Sequence, residues 1–315
     1  MNKMHTTKQS LPRWQTMASL GIVAALALSG CSAAAAPVSA PAEKPATAAD
    51  IDPAAAAMLP AKYKEAGIIN VASDIPYPPM EMFDKDQNVT GFDHDLAQAL
   101  GARLGVKMEL QTQSFAAAIP SLQAGKHDVI MSGMNDTAER QKTLNFVDYF
   151  HAGFSILVQA GNPDKITGVL DLCGKKVAVP KATVQADILR SYDDACIAAG
   201  DGVVIVSELP GETDVQTAVR SGRAVAEVVD SAVAAYTAQT AGDGKLFDLV
   251  TDPENPNGYS PVYTGIGILK ENDKLAEALH LALAATIADG TYAEILKKYD
   301  LVSFGLDEAG FNLGS

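Results

Sequence analysis

The sequence DVIMSGMNDTAERQ, residues 128–141, decides the fold. It begins with an apolar run of strand length, Asp128 to Met131, which stops at the small residues Ser132-Gly133. The same order of apolar run, small or polar break and helix start returns at Lys176 to Val179 and at Val225 to Val229. Strands that alternate with helices predict an α/β fold with largely parallel sheets, in which ligands bind beyond the carboxyl ends of the strands. We therefore expect the three breaks to share one edge.

A basic residue, Arg140, follows the first of these breaks. Asp136 is a favourable N-cap and Glu139, three residues later, completes a capping-box pattern, so a helix is expected to start here. A helix N-terminus already carries partial positive charge, so an arginine in the first turn is unfavourable unless it holds an anion. Its planar guanidinium suits a carboxylate in bidentate geometry. The alternative is a solvated surface arginine that pairs with Glu139 or Asp136.

Polar residues at other strand ends complement this cation. The turn Pro180-Lys181-Ala182-Thr183 precedes a helix, and Thr183 offers a hydroxyl and a backbone N–H. Asp230 closes another strand, and Asp74 occupies an equivalent position in VASDIPYPPMEM. One cationic and two anionic positions predict a zwitterionic ligand. Each residue also has a structural alternative, because Thr183 and Asp230 can cap helices and Asp74 can serve as a turn residue.

Two amphipathic helices support the α/β prediction. Apolar residues recur at four-residue intervals in both, as expected for the buried face of a helix. These stripes are interpreted as core and not as cofactor contacts. The first helix carries Leu96, Leu100 and Leu104 after the predicted N-cap Asp93, and the second carries Leu275, Leu279, Leu283 and Ile287 before the stop residue Gly290.

The first thirty residues are expected to be an export signal, because three basic residues precede an apolar run. The run covers about eleven residues, whereas a membrane-spanning helix needs roughly 20. It leads into Leu28-Ser29-Gly30-Cys31, which is similar to the lipobox of bacterial lipoprotein signals, so Cys31 is expected to carry lipid. The alternative is a plain cleaved signal peptide. Residues 31–60, rich in Ala and Pro without apolar periodicity, are predicted to be a tether.

Charge and motif content exclude several classes of function. The chain of 315 residues has a formal charge of −14, and removal of Lys3, Lys8 and Arg13 with the signal gives −14 − 3 = −17 for the mature chain. Nucleic acid is therefore not an expected partner, because phosphate contact requires concentrated Lys and Arg. Hydrolase, phosphate-loop and metal-site motifs are lacking, so neither a metal nor a cofactor is expected. The body from about residue 61 is long enough for two lobes.

Two cysteines remain once Cys31 is assigned to lipid. In an exported protein, Cys173 and Cys196 are expected to form a disulfide. The alternative is a pair of buried thiols.

Five segments carry a resemblance to a known family: IINVASDIPYPPMEMFDKDQNVTGFDHDLAQALGARLG, AAAIPSLQAGKHDVIMSGMNDTAERQKTLNFVDYF, GKKVAVPKATVQADIL, SGRAVAEVVDSAVAAY and LAATIADGTYAEILKKY. From about Ile68 to Tyr299, the chain resembles the extracytoplasmic amino-acid-binding proteins of ABC importers, solute-binding protein family 3. The resemblance implies the type II periplasmic-binding-protein fold, in which two α/β lobes joined by two hinge crossings close on a ligand like a flytrap.

The division into lobes follows from this resemblance and from two short, Gly-containing apolar stretches. The crossings are expected near Gly153 to Ile156 and near Tyr263 to Ile266. Lobe 1 is then expected to comprise residues 61–154 and 264–315, and lobe 2 residues 155–263.

The resemblance also implies roles for individual residues. Arg140 corresponds to the arginine that clamps the α-carboxylate of the ligand, aided by the backbone of Thr183, and Asp230 to the carboxylate that receives the α-ammonium. Asn135 stands where the family often has Ser or Thr, and Pro180-Lys181-Ala182 replaces the usual Gly-containing turn. The other implied ligand contacts are Asp74, Tyr77, Phe115, Ser132, Gly133, Asn135 and Gln185.

The implied function is that of a monomeric, lipid-anchored receptor that captures an amino acid outside the membrane and delivers it to an ABC permease without chemistry. Asp74 and Glu81 favour a polar or basic ligand side chain. An alternative is a periplasmic dehydratase of the cyclohexadienyl or arogenate type on the same scaffold. Such an enzyme needs a general acid or base in the cleft, for which Glu81 and Asp74 are the candidates. A sensor module is a third class, disfavoured because no transmembrane segment follows lobe 2.

Overall fold

A computed structural model describes residues 50–255 and 258–315. The predicted signal peptide, Cys31 and residues 31–49 of the predicted tether lie outside the described residues. Within these two ranges, every helix is too short or too polar to serve as a membrane-spanning segment.

The body consists of strands that alternate with helices along most of its length. The strands are β1 (Ile68–Ser73), β2 (Met82–Phe83), β3 (Val89–Thr90), β4 (Lys107–Thr112), β5 (Val129–Ile130), β6 (Leu144–Gln159), β7 (Lys176–Pro180), β8 (Ile205–Leu209), β9 (Ala226–Asp230), β10 (Phe247–Leu249), β11 (Tyr259–Leu269) and β12 (Gly310–Phe311). The helices are α1 (Pro53–Met58), α2 (Ala61–Ala66), α3 (Phe92–Leu104), α4 (Ala118–Gln123), α5 (Gln185–Arg190), α6 (Asp193–Ala199), α7 (Glu212–Arg220), α8 (Ser231–Thr240), α9 (Asp273–Ala288) and α10 (Thr291–Lys298).

One mixed sheet runs through both lobes in the order β4-β1-β5-β11-β6-β9-β7-β8. Strand β1 pairs in parallel with β4 and β5, and β7 pairs in parallel with β8 and β9. The long antiparallel strands β6 and β11 lie between these two parallel parts. Both stretches that were predicted to be crossings belong to these two strands. The α/β prediction is confirmed and the fold is of the two-lobed kind, but the sheet is mixed and not largely parallel as predicted, because β6 and β11 pair antiparallel with their neighbours.

Helices α3 and α9 cover the sheet with the apolar faces that the leucine repeats predicted. Leu96, Leu100 and Leu104 of α3 are buried, as are Leu275, Leu279 and Leu283 of α9, whereas Ile287 is partly buried. Burial of one such side chain contributes roughly 1.5–3 kcal/mol relative to its exposure. Gly290 lies beyond the end of α9 with a φ of 87°, a conformation that favours glycine.

The N-cap of α3 differs from the prediction. Gly91, and not Asp93, is the capping residue. The buried Asp93 carboxylate instead accepts hydrogen bonds from the Gly133 backbone N–H at 2.9 Å and from the Tyr149 hydroxyl at 2.7 Å. Its role is therefore to connect α3 to the end of β5, a contact that the local sequence pattern does not encode.

The predicted tether ends earlier than expected. Asp52 caps α1 by accepting the Ala55 N–H at 2.8 Å, and Pro53 occupies the first helical turn, where its lack of an N–H costs nothing. Ala55 and Leu59 are buried in the same core as α9. The prediction of a tether is thus wrong for its last residues, because small alanines without a periodic pattern can still pack closely against a helix.

The cysteine pair forms a disulfide between Cys173 and Cys196, with an S–S distance of 2.02 Å and a sequence separation of 23 residues. Cys173 follows a 3-10 turn, Val169–Leu172, and Cys196 lies in α6. Both are buried in the apolar core around β7. The bridge therefore joins α6 to the segment that enters β7, as predicted.

Replacement of both cysteines by alanine is expected to destabilise the protein by about 3 kcal/mol, because the bridge restricts the unfolded chain. Urea unfolding of the parent with and without reductant, beside the double variant, measures this difference. The reduced parent should unfold at the same urea concentration as the double variant. Equal midpoints for oxidised and reduced parent, or two freely alkylated thiols in peptide maps of the exported protein, would contradict the assignment.

Candidate functional site

A cavity lies between the two parallel parts of the sheet. The ends of β1, β5, β7 and β9 reach it, so the breaks identified in the sequence do converge. Nine of the ten predicted ligand contacts line this cavity, and Arg140 stands beside it. The lining residues are Asp74, Pro76, Tyr77, Phe115, Ser132, Gly133, Asn135, Pro180, Thr183, Gln185, Glu212 and Asp230.

Asp230 occupies the end of β9 and is 8% exposed. It precedes α8 in the N-cap position, but its side chain makes no capping hydrogen bond. The carboxylate instead accepts from the Tyr77 hydroxyl, from Asn135 Nδ2 at 3.2 Å and from Gln185 Nε2 at 3.4 Å. Burial raises the pKa of Asp230, whereas the hydrogen bonds from Tyr77 and Asn135 and the charge of Arg140 lower it. An anion oriented in this way suits an ammonium group in the cavity.

Arg140 lies in a 3-10 turn, Arg140–Lys142, and not in an α-helix. The predicted capping box is wrong: Thr137 Oγ1 accepts the Arg140 backbone N–H at 3.2 Å, while Asp136 accepts the N–H of Gly314. The C-terminal segment therefore competes for the carboxylate that the local pattern assigned to a helix cap.

The guanidinium of Arg140 contacts both sides of the cavity. Nη1 donates to the Asn135 carbonyl at 2.7 Å, Nη2 donates to the Ala182 carbonyl at 3.1 Å, and Cζ lies 5.3 Å from the centre of the Phe115 ring. Burial lowers the pKa of Arg140 to about 10, although nearby carboxylates including Asp230 oppose this shift. A guanidinium has five N–H donors, so groups remain for an incoming anion.

The loop before Thr183 explains how a chain without the usual glycine reaches this geometry. Ala182 has a φ of 66°, in the left-handed region, where a non-glycine residue is held at a cost of roughly 1–2 kcal/mol. Its carbonyl is the group that accepts from Arg140. Thr183 Oγ1 donates to the Pro180 carbonyl at 2.7 Å, which closes the turn.

Small residues after β5 permit close approach of an aromatic ring. Gly133 has a φ of 54°, and a Cβ atom there would lie 3.0 Å from Cε1 of Tyr77. A larger residue would therefore displace the ring that donates to Asp230. Tyr77 and Phe115 form aromatic walls of the cavity, next to the end of β1.

Asp74 lies at the end of β1 and is held by its neighbours. Its backbone N–H donates to Ser132 Oγ at 2.8 Å, and its Oδ2 accepts the Phe115 N–H at 3.0 Å. Burial raises the pKa of Asp74, partly offset by the hydrogen bond from Phe115. The carboxylate lines the cavity opposite Asp230 in the sheet, since β1 and β9 belong to different parallel parts.

Glu81 is fully buried and does not line the cavity. Its Oε1 accepts from Ser132 Oγ at 2.7 Å, and burial together with the charge of Asp93 raises its pKa well above the usual range. Burial likewise raises the pKa of Asp93 to about 6. Glu81 thus supports Ser132 from behind, so only Asp74 of the two sequence-named acid–base candidates faces a ligand.

One acidic residue of the cavity was missed by sequence analysis. Glu212 begins α7 after Gly211 and lines the cavity, although it is only 6% exposed. An acidic residue in the first turn of a helix is ordinary, because it complements the helix dipole. The sequence therefore carried no signal to separate Glu212 from a solvated glutamate, and packing of α7 against β7 and β9 placed it in the site.

Comparison with known proteins identifies relatives of this arrangement. Residues 69–302 match the sequence model of the bacterial extracellular solute-binding proteins, family 3. The chain is 30% identical over 257 residues to the arginine-binding protein ArgT of Corynebacterium glutamicum, covering 81% of this chain and 82% of that protein. It is 33% identical over 231 residues to the histidine-binding periplasmic protein of Salmonella typhimurium, covering 73% and 86%. An ancestral arginine-binding protein bound to arginine superposes with a TM-score of 0.65 and 34% identity, over 74% of this chain and 98% of that one.

Proposed function

Because this chain belongs to the bacterial extracellular solute-binding proteins of family 3, we propose that it captures a basic amino acid outside the cytoplasm and delivers it to an ABC permease. Amino-acid binding for transport is the shared property of its relatives. The basic ligand class is supported by the names of the arginine- and histidine-binding proteins that it resembles. Asp74 adds support, because it places a carboxylate in the cavity beyond the one at Asp230.

The observation that carries this proposal is the presence of two opposite charges, Arg140 and Asp230, which influence each other electrostatically without direct contact. Within residues 50–255 and 258–315, neither Arg140 nor Asp230 forms a salt bridge with another side chain. Charges removed from water are costly unless they are paired. The α-carboxylate and α-ammonium groups of an amino acid can pair with Arg140 and Asp230, respectively. A zwitterion therefore pairs with both charges, whereas a singly charged molecule pairs with only one.

Ligand capture is proposed to close the two lobes. We assign lobe 1 to residues 61–154 and 264–315 and lobe 2 to residues 155–263, so Arg140 belongs to lobe 1 and Asp230 to lobe 2. A ligand that contacts both makes more interactions in the closed state and favours closure by that difference in affinity. The permease would then recognise surfaces that are correctly placed only after closure.

A thermal-shift panel of the twenty amino acids tests the proposed function. A ligand at 100 times its dissociation constant stabilises the folded state by about 2.7 kcal/mol, which is readily measured. Arginine, lysine or histidine should produce the largest shift. A larger shift with a neutral amino acid would refute the basic class, and no shift with any amino acid would refute the function itself. Turnover of a prephenate-like compound by the same protein would favour the dehydratase alternative.

Cys31 is proposed to be the lipidated first residue of a membrane-anchored mature protein. The support is the segment Leu28-Ser29-Gly30-Cys31 behind an apolar run. Intact mass of protein extracted from membranes measures both the cleavage site and the lipid. A mature N-terminus at another residue would contradict the proposal. We further propose that the protein acts as a monomer.

A further inference from the structure

The cavity carries more negative charge than a neutral amino acid can balance. Asp74, Glu212 and Asp230 line it, whereas no basic residue is among the lining residues of the described chain and Arg140 stands beside them. We infer that Glu212 binds the cationic group at the end of the ligand side chain and that Glu227, behind it, holds Glu212 in position. This inference rests on the proposed function and names the residue that selects a basic ligand.

Glu212 is suited to receive a cation because it is nearly buried yet reaches the cavity. It is 6% exposed, and its Oε1 accepts from Gln216 Nε2 at 3.0 Å. Its Oε2 has no hydrogen-bond partner among the described residues, and burial raises the pKa of this carboxyl, which contacts the Glu227 carboxyl. A desolvated carboxylate with an unfilled oxygen gains strongly from a cation that arrives with its own N–H donors.

Glu227 explains how the Glu212 carboxylate can be stabilised although it is buried. It is the second residue of β9, is fully buried, and neither of its oxygens has a donor among the described residues. Burial and the charge of Glu212 raise the pKa of Glu227 well above the usual range, which favours the protonated form of this carboxyl. Two carboxyls in contact cannot both ionise, and the protonated one donates a hydrogen bond to the other. Glu227 is therefore a positioning residue for Glu212.

The charge balance favours Glu212 as the receptor of the side-chain cation. In the proposed complex, the α-carboxylate of the ligand binds Arg140 and the α-ammonium group binds Asp230. Asp74 is only partly buried and accepts a backbone hydrogen bond from Phe115, whereas Glu212 is buried and its Oε2 has no hydrogen-bond partner among the described residues. A ligand with a neutral side chain would leave Glu212 buried without an ion partner, and a site that buries an unpaired charge discriminates against such a ligand.

The matched ligand pair arginine and citrulline tests this assignment, because citrulline has the same shape with a neutral end group. Calorimetry on Glu212→Gln should show at least a tenfold loss of arginine affinity, while citrulline affinity changes less than threefold. Glu208→Gln is the control: it removes one negative charge from an exposed residue of β8 and should leave both affinities unchanged. Lysine and norleucine form a second pair, which differ in the ε-ammonium group. Comparison of the lysine-to-norleucine ratio with the arginine-to-citrulline ratio shows whether the site prefers an ammonium or a guanidinium group.

The positioning role of Glu227 is tested by the ratio of arginine affinity to citrulline affinity in two variants. Glutamine at 227 retains an N–H donor toward Glu212, so Glu227→Gln should keep the parent ratio of arginine to citrulline affinity within threefold. Glu227→Met removes the donor at similar size and should reduce that ratio. A merely structural glutamate would change stability in both variants without moving the ratio.

Several outcomes would overturn the inference. The first is an arginine-to-citrulline ratio within twofold of the parent in folded Glu212→Gln, with circular dichroism to establish folding and Glu212→Ala as a second variant. A parent that binds an amino acid without preferring arginine to citrulline would also overturn it, while amino-acid binding would stand. A parent that binds no amino acid would instead defeat the proposed function.

Discussion

Replacement of Arg140 by alanine is expected to weaken the binding of every amino acid by about 30-fold or more, because the α-carboxylate loses its charged partner. Removal of one member of a buried ion pair typically costs about 2–5 kcal/mol. The loss should be the same for ligands with different side chains, since Arg140 binds the α-carboxylate, which all amino acids share. Calorimetry with several ligands measures both the size of the loss and its uniformity.

Two controls separate the carboxylate clamp from a general effect on structure. Arg190→Ala removes an exposed arginine of α5, paired with Asp187 and Glu208, and should leave affinity unchanged. Agmatine, which is arginine without its carboxylate, should bind parent and Arg140→Ala equally. Phe115→Ala should instead alter the ranking among ligands. If folded Arg140→Ala binds its best ligand within threefold of the parent, Arg140 is a surface residue and the assignment fails.

The second large effect is expected for Asp230→Asn, which should also weaken all amino acids by about 30-fold or more through loss of the α-ammonium partner. Asparagine keeps the shape and one acceptor for Tyr77 or Asn135, so the change isolates the charge. The loss should vanish for 5-guanidinopentanoate, the analogue of arginine that lacks the α-amino group. Calorimetry with arginine and this analogue gives the comparison.

The matched control for Asp230→Asn is Asp187→Asn, which removes an exposed carboxylate from α5 of the same lobe. It should bind arginine as the parent does. An equal loss for arginine and its deaminated analogue in Asp230→Asn would show that the carboxylate shapes the cavity and does not bind the ammonium group.

Much of the fold was predictable because its signals are local. The apolar runs that end at Ser132, Thr183 and Asp230 are recognisable from short windows, and strand ends converge in any α/β sheet of this kind. The errors also arose from local patterns. In each case, a residue that matched a helix-capping pattern forms its hydrogen bonds with residues distant in the sequence. Asp136 matched a capping box but binds Gly314 from the C-terminal segment, and Asp93 matched an N-cap but binds Gly133.

The candidate site was predictable in its positions but not in its contacts. Tyr77 and Asp230 are 153 residues apart, and Arg140 reaches the carbonyl of Ala182, 42 residues away. Contacts between residues so far apart in the sequence depend on how the lobes and strands β6 and β11 are arranged. Strand ends and charge identified Asp74, Thr183 and Asp230, and a family resemblance added the other predicted contacts, whereas their hydrogen-bond partners followed from packing.

The sequence by itself determined the alternation of strands and helices, the small residues at strand ends and the opposite charges of Arg140 and Asp230, because hydrophobic period and chain breaks act within a few residues. Only the tertiary structure decided that Glu212 joins the cavity and that Glu227 stands behind it. A glutamate at the start of a helix and a glutamate within a strand look ordinary in sequence. Their contact depends on the packing of α7 against β9, and burial of the pair then gives them properties that neither has alone.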